Sequence, residues 1–121
     1  MTKLSFTYTI LIMITFKQYQ TESAKTAIYP KEKGLEYCIF GLCSEVGEVA
    51  GKYKKVLRDN GGILTEEKKN ELKSESADCI WYLAQIFTEL GIDFGDAAQS
   101  NLDKLNDRKV RGVIGGSGDK R

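Results

Sequence analysis

Two pairs of acids carry the chemistry this sequence offers. Glu45 and Glu48 are three residues apart, and Glu75 and Asp78 repeat that spacing, with Glu71 one turn earlier. On a helix the spacing puts both members of a pair on one face. Like charges so placed disfavour an isolated helix by roughly 0.2–0.5 kcal/mol per pair, so something should offset them. The centres of the two pairs are equidistant from the Gly61-Gly62 turn. If both segments are helices running antiparallel from that turn, four carboxylates arrive at one level, at ~1.5 Å per residue. In a partly dry groove they repel one another and hold protons unless a cation neutralises them. Oxygen donors without histidine suit Mg²⁺ or Mn²⁺, and Ca²⁺ less well. The competing reading is a solvated helix face, the usual place for charged residues on an amphipathic helix, and the matched pairs bring the two readings level.

Composition narrows the field. A chain of 121 residues fits one domain. With 41% apolar and 29% charged residues it has enough apolar surface to exclude wholesale disorder. Eighteen Lys and Arg against seventeen Asp and Glu leave a net charge of +1, which argues against a nucleic-acid binder driven by bulk basicity. Histidine is absent, so the chain alone builds no Ser-His-Asp triad, no histidine base, no His-ligated zinc and no carboxylate-histidine di-iron bundle. Cys38, Cys43 and Cys79 form no C-x-x-C pair. Free, inertly packed thiols in a reducing, cytoplasmic setting are expected.

The elements that must hold the acids follow from periodicity. From about Ile14 to Ile28 the pattern suits a helix ended by Tyr29-Pro30, because proline forces its predecessor into extended geometry. Leu35, Ile39, Leu42, Val46, Val49, Tyr53 and Val56 recur at threes and fours and predict one stripe of a long helix, stopping near Arg58-Asp59. Thr65 before Glu66 and Glu67 reads as an N-cap, and Leu72, Cys79, Leu83, Ile86 and Leu90 carry a second long helix to Gly91. A fourth helix is expected from about Asp93 to Arg108. The expected architecture is all-α: a helical bundle built on a long antiparallel helix hairpin with flanking helices, over residues 14–111. A glycine-rich basic tail follows at 112–121. Residues 1–13 read as an apolar extension that packs on the domain or precedes a natural start at Met13. It is shorter than the ~20 residues a membrane span needs, so no membrane association is expected. A bundle of this length leaves apolar surface uncovered, so a dimer or a dimer of dimers is expected.

The wording around the acids, Gly41-Leu-Cys-Ser-Glu-Val-Gly-Glu-Val-Ala and Ala77-Asp-Cys-Ile-Trp-Tyr-Leu, resembles the MazG family of all-α nucleoside triphosphate pyrophosphohydrolases. The resemblance runs from about Tyr19 to Arg121. It includes Tyr19-Gln20, Thr26-Ala27-Ile28-Tyr29-Pro30, Asn101-x-x-Lys104-Leu105-x-x-Arg108 and the closing Gly116-Ser-Gly-Asp-Lys-Arg121. The ordered set is what is specific, and it is similar to the small single-domain members found in phages and bacteria. The resemblance implies hydrolysis of an NTP or dNTP to the monophosphate and pyrophosphate. It implies Mg²⁺ held by Glu45, Glu48, Glu75 and Asp78, and sites completed across subunits of a homo-oligomer. Asn101 and Lys104 match positions the family uses near the nucleotide. The family often opens its first motif with two adjacent acids. Here Ser44 precedes Glu45, and the number of metal ions stays open.

For that reaction the residue types suggest roles. Without histidine, general-base work falls to Glu45 or Glu48. A departing pyrophosphate needs cations. Lys52, Lys55 and Arg58 follow the first acidic pair, while Lys104, Arg108, Lys120 and Arg121 crowd the end of the chain. There the tail reads as a phosphate clamp or lid, against the alternative of a frayed terminus. Trp81 and Tyr82, one turn after Asp78, and Tyr19 and Gln20 on the first helix are candidates for a base pocket. Ordinary burial is the competing role for Trp81 and Tyr19. Two other readings stand beside the enzyme: a nucleotide- or metal-binding module with little turnover, and a structural helical adaptor.

Overall fold

A computed structural model describes residues 13–121. The expectation for the N-terminal apolar run at 1–12 lies outside the described residues. Four α-helices follow one another: α1 (Phe16–Ala24), α2 (Gly34–Asn60), α3 (Glu66–Glu89) and α4 (Phe94–Val110), with a 3₁₀ turn at Lys31–Lys33 before α2. Among the described residues there is no strand, and no helix is long and apolar enough to cross a membrane.

Each start and stop has a local cause. Thr15 and Gln18 form a reciprocal capping box at α1. Thr65 and Asp93 accept hydrogen bonds from the Lys68 and Asp96 backbone N–H groups at the starts of α3 and α4. Gly61 closes α2 in the left-handed conformation, φ 57°, and the Gly62 N–H reaches back to the Val56 carbonyl at 3.1 Å. That tight exit lets α3 turn back at once.

Helix α1 is shorter than its periodicity suggests, ending at Ala24 rather than Ile28. The N–H groups of Lys25, Thr26 and Ala27 reach back three residues instead of four, and Thr26 Oγ1 donates to the Ser23 carbonyl at 2.7 Å. Trp81 Nε1 donates to the same Thr26 hydroxyl at 2.8 Å and fixes the departing strap against α3. A tertiary contact thus ends the helix six residues before Pro30.

Helices α2 and α3 run in opposite directions along one contact. Glu89 lies over Gly34, Tyr82 over Gly41, and Glu45 meets Asp78. The anticipated single stripe on α2 divides in two. Cys38 and Val56 are buried and Leu42 and Val49 half-buried, whereas Ile39, Val46 and Tyr53 stay exposed. Spacings of three and four run through both rows, so periodicity alone merges them. On the other side of α3, α1 packs through Ser23, whose hydroxyl accepts from buried Gln85 Nε2 at 2.8 Å. Phe94 opens α4 between Phe16 and Phe87, with ring centroids 4.8 and 5.2 Å away.

The tail closes on α4. Asp119 accepts from Lys104 Nζ at 2.9 Å and from Arg108 at 3.1 Å. The Arg121 guanidinium donates to the carbonyls of Val113 and Ile114, each at 3.0 Å, and to that of Gly118. Arg111 donates to the Arg121 carbonyl at 2.9 Å. The tail lacks regular structure, as its glycines imply, but its own cations clasp it.

Candidate functional site

The α2–α3 contact sets Glu45 against Glu75 and Asp78, with one carboxylate oxygen from each within 4.8 Å of the others. Glu45 and Glu75 are half-buried and Asp78 is exposed. Burial first, then the charges of Asp78, Glu75 and Glu48, raise the Glu45 carboxyl above its usual range. The cluster therefore carries excess negative charge. Lys52 offsets part of it, with its Nζ 3.7 Å from Glu75 Oε1.

Glu48 is exposed and stands outside this trio. Three helical residues span roughly 300°, so Glu48 sits about 60° further round α2 than Glu45 and away from α3. The sequence sets four acids at one level; the structure brings three together and leaves the fourth at the rim. The trio fits a hard divalent cation. All its donors are carboxylate oxygens, they converge from two rigid helices, and Glu45 is unsettled by its neighbours' charge.

Beside the trio opens a cavity of about 410 Å³ lined by Glu45 and Asp78 together with Tyr29, Tyr37, Trp81 and Tyr82. Trp81 stands edge-on to Tyr82 at 5.0 Å and to Tyr29 at 6.4 Å, and Tyr29 stacks on Tyr37 at 5.3 Å. Tyr29 donates its hydroxyl proton to Glu89 Oε1 at 2.7 Å, which anchors the strap over the groove. Burial and then the neighbouring Tyr37 and Glu45 raise the Tyr82 hydroxyl, keeping it a neutral donor. Gly41 makes room for that ring. A Cβ there would sit 2.6 Å from Tyr82 Cδ1 and nearer still to Cε1 and Cζ.

Trp81 and Tyr82 thus stand where a planar base could stack. Tyr19 instead helps line a separate, largely apolar cavity of about 260 Å³ with Phe16, Ala77 and Ile80. Its hydroxyl is raised by burial and then by Asp78. Gln20 is placed away from the aromatic cavity for a clear reason: its carboxamide is fully committed to building the fold. It donates to Thr88 Oγ1 at 3.2 Å and to the Ile92 carbonyl at 2.8 Å, and accepts from the Phe94 N–H at 2.9 Å.

Of the candidate phosphate-binding cations, Lys52 is the one in ion-pair contact with the trio among the described residues. Lys55 is exposed, and Arg58 is paired with Asp59 at 2.7 Å. Asn101 and Lys120 are exposed, while Lys104, Arg108 and Arg121 are engaged in the tail clasp. None of these borders the aromatic cavity. Cys43, expected to pack inertly, is exposed, whereas Cys38 is buried and Cys79 half-buried.

Tyr37, Tyr29 and Thr26 join the cavity without a role that residue type or spacing assigns them. Tyr37 was legible in principle, since Tyr37, Gly41 and Glu45 follow at steps of four on one helix face. Tyr29 and Thr26 sit on an irregular strap, where periodicity says nothing.

The MazG nucleotide pyrophosphohydrolase domain matches residues 34–112, which span α2, α3 and α4. The Gene 37 protein of Mycobacterium phage L5 is 45% identical over 109 residues, covering 85% of this chain and 96% of that protein. No solved structure matches.

Proposed function

The chain belongs to the MazG nucleotide pyrophosphohydrolase family, and from that premise we propose that it hydrolyses a nucleoside or deoxynucleoside triphosphate to the monophosphate and pyrophosphate with Mg²⁺ as cofactor. The observation that carries this reading is the shared border of the carboxylate trio and the aromatic cavity, since Glu45 and Asp78 line both. A nucleotide needs those two environments side by side, one for phosphates and one for a base.

Glu45, Glu75 and Asp78 would hold the divalent ion, and Mn²⁺ is a chemically suitable substitute. When bound, the ion neutralises phosphate charge and makes a water acidic enough to attack near neutral pH. The residues supply the rest. Trp81 and Tyr82 stack on the base, with Tyr29 and Tyr37 closing its surroundings and excluding water. Lys52, 3.7 Å from Glu75 on the border of the trio, would meet the phosphates. Water attacks the α-phosphorus and the bond to the α–β bridging oxygen breaks, so pyrophosphate leaves. Glu48, at the rim and outside the trio, accepts the proton of the attacking water.

A pyrophosphate-release assay over a panel of NTPs and dNTPs with Mg²⁺ tests the reading. Turnover of at least one nucleotide is expected, lost in both Asp78→Asn and Glu48→Gln. Mg²⁺ affinity is expected to fall only in Asp78→Asn. A wild-type protein that binds Mg²⁺ and nucleotide yet releases no pyrophosphate would overturn it.

A further inference from the structure

Glu89, the last residue of α3, belongs to neither the carboxylate trio nor the lining of the aromatic cavity. It stands eleven residues past Asp78, roughly 16 Å further along the helix. Yet its Oε1 accepts the Tyr29 hydroxyl at 2.7 Å, and Tyr29 does line that cavity. The carboxylate lies over Gly34, where an added Cβ would fall 2.5 Å from its Cδ and Oε1 and 2.7 Å from its Oε2. Gly34 has ordinary helical dihedrals, φ −58° and ψ −46°, so the glycine serves the carboxylate and not the backbone. Helix α2 has no side-chain cap of its own, and Glu89 brings a negative charge to the positive end of its 27 residues.

Little else holds Tyr29. It sits on the irregular strap between α1 and the 3₁₀ turn, where Ile28 is 97% exposed and adds no packing. Among the described residues, two side-chain hydrogen bonds tie this strap to α3, Trp81 to Thr26 and Tyr29 to Glu89. A second cavity, of about 330 Å³, also borders Tyr29, with Ala27, Gln85, Thr88 and Glu89 in its lining. With open space at both cavities, packing alone does not fix the ring. The hydroxyl bond decides whether it stays stacked on Tyr37 and edge-on to Trp81. Burial and then the bond to Glu89 raise the Tyr29 hydroxyl above its usual range, so it remains a protonated donor. The geometry points to Glu89 as a positioning residue for nucleotide binding, which from outside the cavity holds the Tyr29 ring in place beside the bound base. This assignment rests on the reading of the aromatic cavity as the base site.

Binding of a panel of α,β-methylene NTPs and dNTPs with Mg²⁺, followed by Trp81 fluorescence, tests this on the full chain, with melting curves alongside. Glu89→Ala and Tyr29→Phe should each weaken binding about three- to tenfold, and combining them should weaken it no further. Glu89→Gln still accepts from the hydroxyl and should bind within about twofold of wild type, although it loses the charge at α2 and melts earlier, as Glu89→Ala does. A merely structural Glu89 would make affinity follow melting temperature across the set. Mg²⁺ affinity should be unchanged in all the variants, and in turnover the loss should fall on KM and not on kcat. A wild type that binds no nucleotide would overturn this proposal together with the base-site reading. Binding left unchanged by Glu89→Ala and Tyr29→Phe, an additive loss in the double variant, or a loss in Glu89→Gln as large as in Glu89→Ala would overturn it while leaving that reading intact.

Discussion

Gly41→Ala is the smallest change that reaches the candidate site through packing alone. A Cβ at this position would fall 2.6 Å from Tyr82 Cδ1 and closer to two further ring atoms. Carbon atoms are comfortable at about 3.5–4.0 Å, and Cε1 would lie nearest, so the ring must retreat by about 1.5 Å. Tyr82 cannot retreat freely, because Trp81 stands 5.0 Å away and Tyr37 6.5 Å away between ring centroids. Overpacking of this kind costs about 1–3 kcal/mol, offset by about 1 kcal/mol of helix propensity gained by replacing glycine with alanine. The net destabilisation is therefore about 0–2 kcal/mol, which for a domain near 100 residues lowers Tm by up to about 10 °C. Displacing the ring forfeits an aromatic contact of about 0.5–1.5 kcal/mol with a stacked base, a loss of about two- to twelvefold in kcat/KM. Thermal melting and steady-state pyrophosphate release read both effects, with the kinetic loss mainly in KM and Mg²⁺ affinity unchanged. A variant with wild-type Tm and wild-type kcat/KM would refute the reasoning.

The raised Glu45 carboxyl makes stability and metal binding depend on pH. Its folded form holds a proton more tightly than the unfolded chain, so its contribution to stability is fully present below the ordinary value of 4.5 and is lost as pH rises through the raised one. Metal-free protein should lose that contribution across this window, and Mg²⁺ should restore stability and bind more tightly as pH rises, read by melting curves with and without the ion. Lys52→Ala removes the cation beside Glu75 and should raise nucleotide KM several-fold while leaving the fold intact, measured by kinetics and circular dichroism. Trp81 is the only tryptophan and lines the cavity, so its fluorescence should change on titration with a nucleotide, and Trp81→Ala should weaken that binding by about tenfold or more. Asp119→Ala removes the side-chain acceptor shared by Lys104 and Arg108 and should speed tryptic cleavage after Arg111. Those two cations hold the Asp119 carboxyl below its usual 3.8, so in wild type its contribution to the clasp is fully present above that value and is lost as pH falls through the lower one.

Much of the molecule was legible in its residues because local causes dominate. Thr65, Asp93 and Gly61-Gly62 fix the ends of the helices they border, and the symmetric placement of the acids about the turn gave the level at which α2 and α3 meet. The parts that periodicity missed are tertiary. Trp81 grips Thr26 and ends α1 early. A stripe at steps of three and four cannot say which of two neighbouring rows faces inward, so it merges Ile39, Val46 and Tyr53 with the row that α3 covers. Gln20 looked like a pocket residue because it neighbours Tyr19, yet a glutamine with three partners in the α3–α4 connection serves the fold first. The basic tail carried charge enough for a clamp, but a sequence does not show that Asp119 and backbone carbonyls engage three of those cations.

The proposed reaction is attack of a water on the α-phosphorus beside the Glu45, Glu75 and Asp78 cluster. Turnover of a preferred triphosphate in ¹⁸O-enriched water with Mg²⁺, followed by ³¹P NMR, locates the bond that breaks. The label should appear in the nucleoside monophosphate and not in pyrophosphate, and Asp78→Asn should abolish the signal. Label in inorganic phosphate alongside a nucleoside diphosphate, or undiminished turnover by Asp78→Asn, would contradict it.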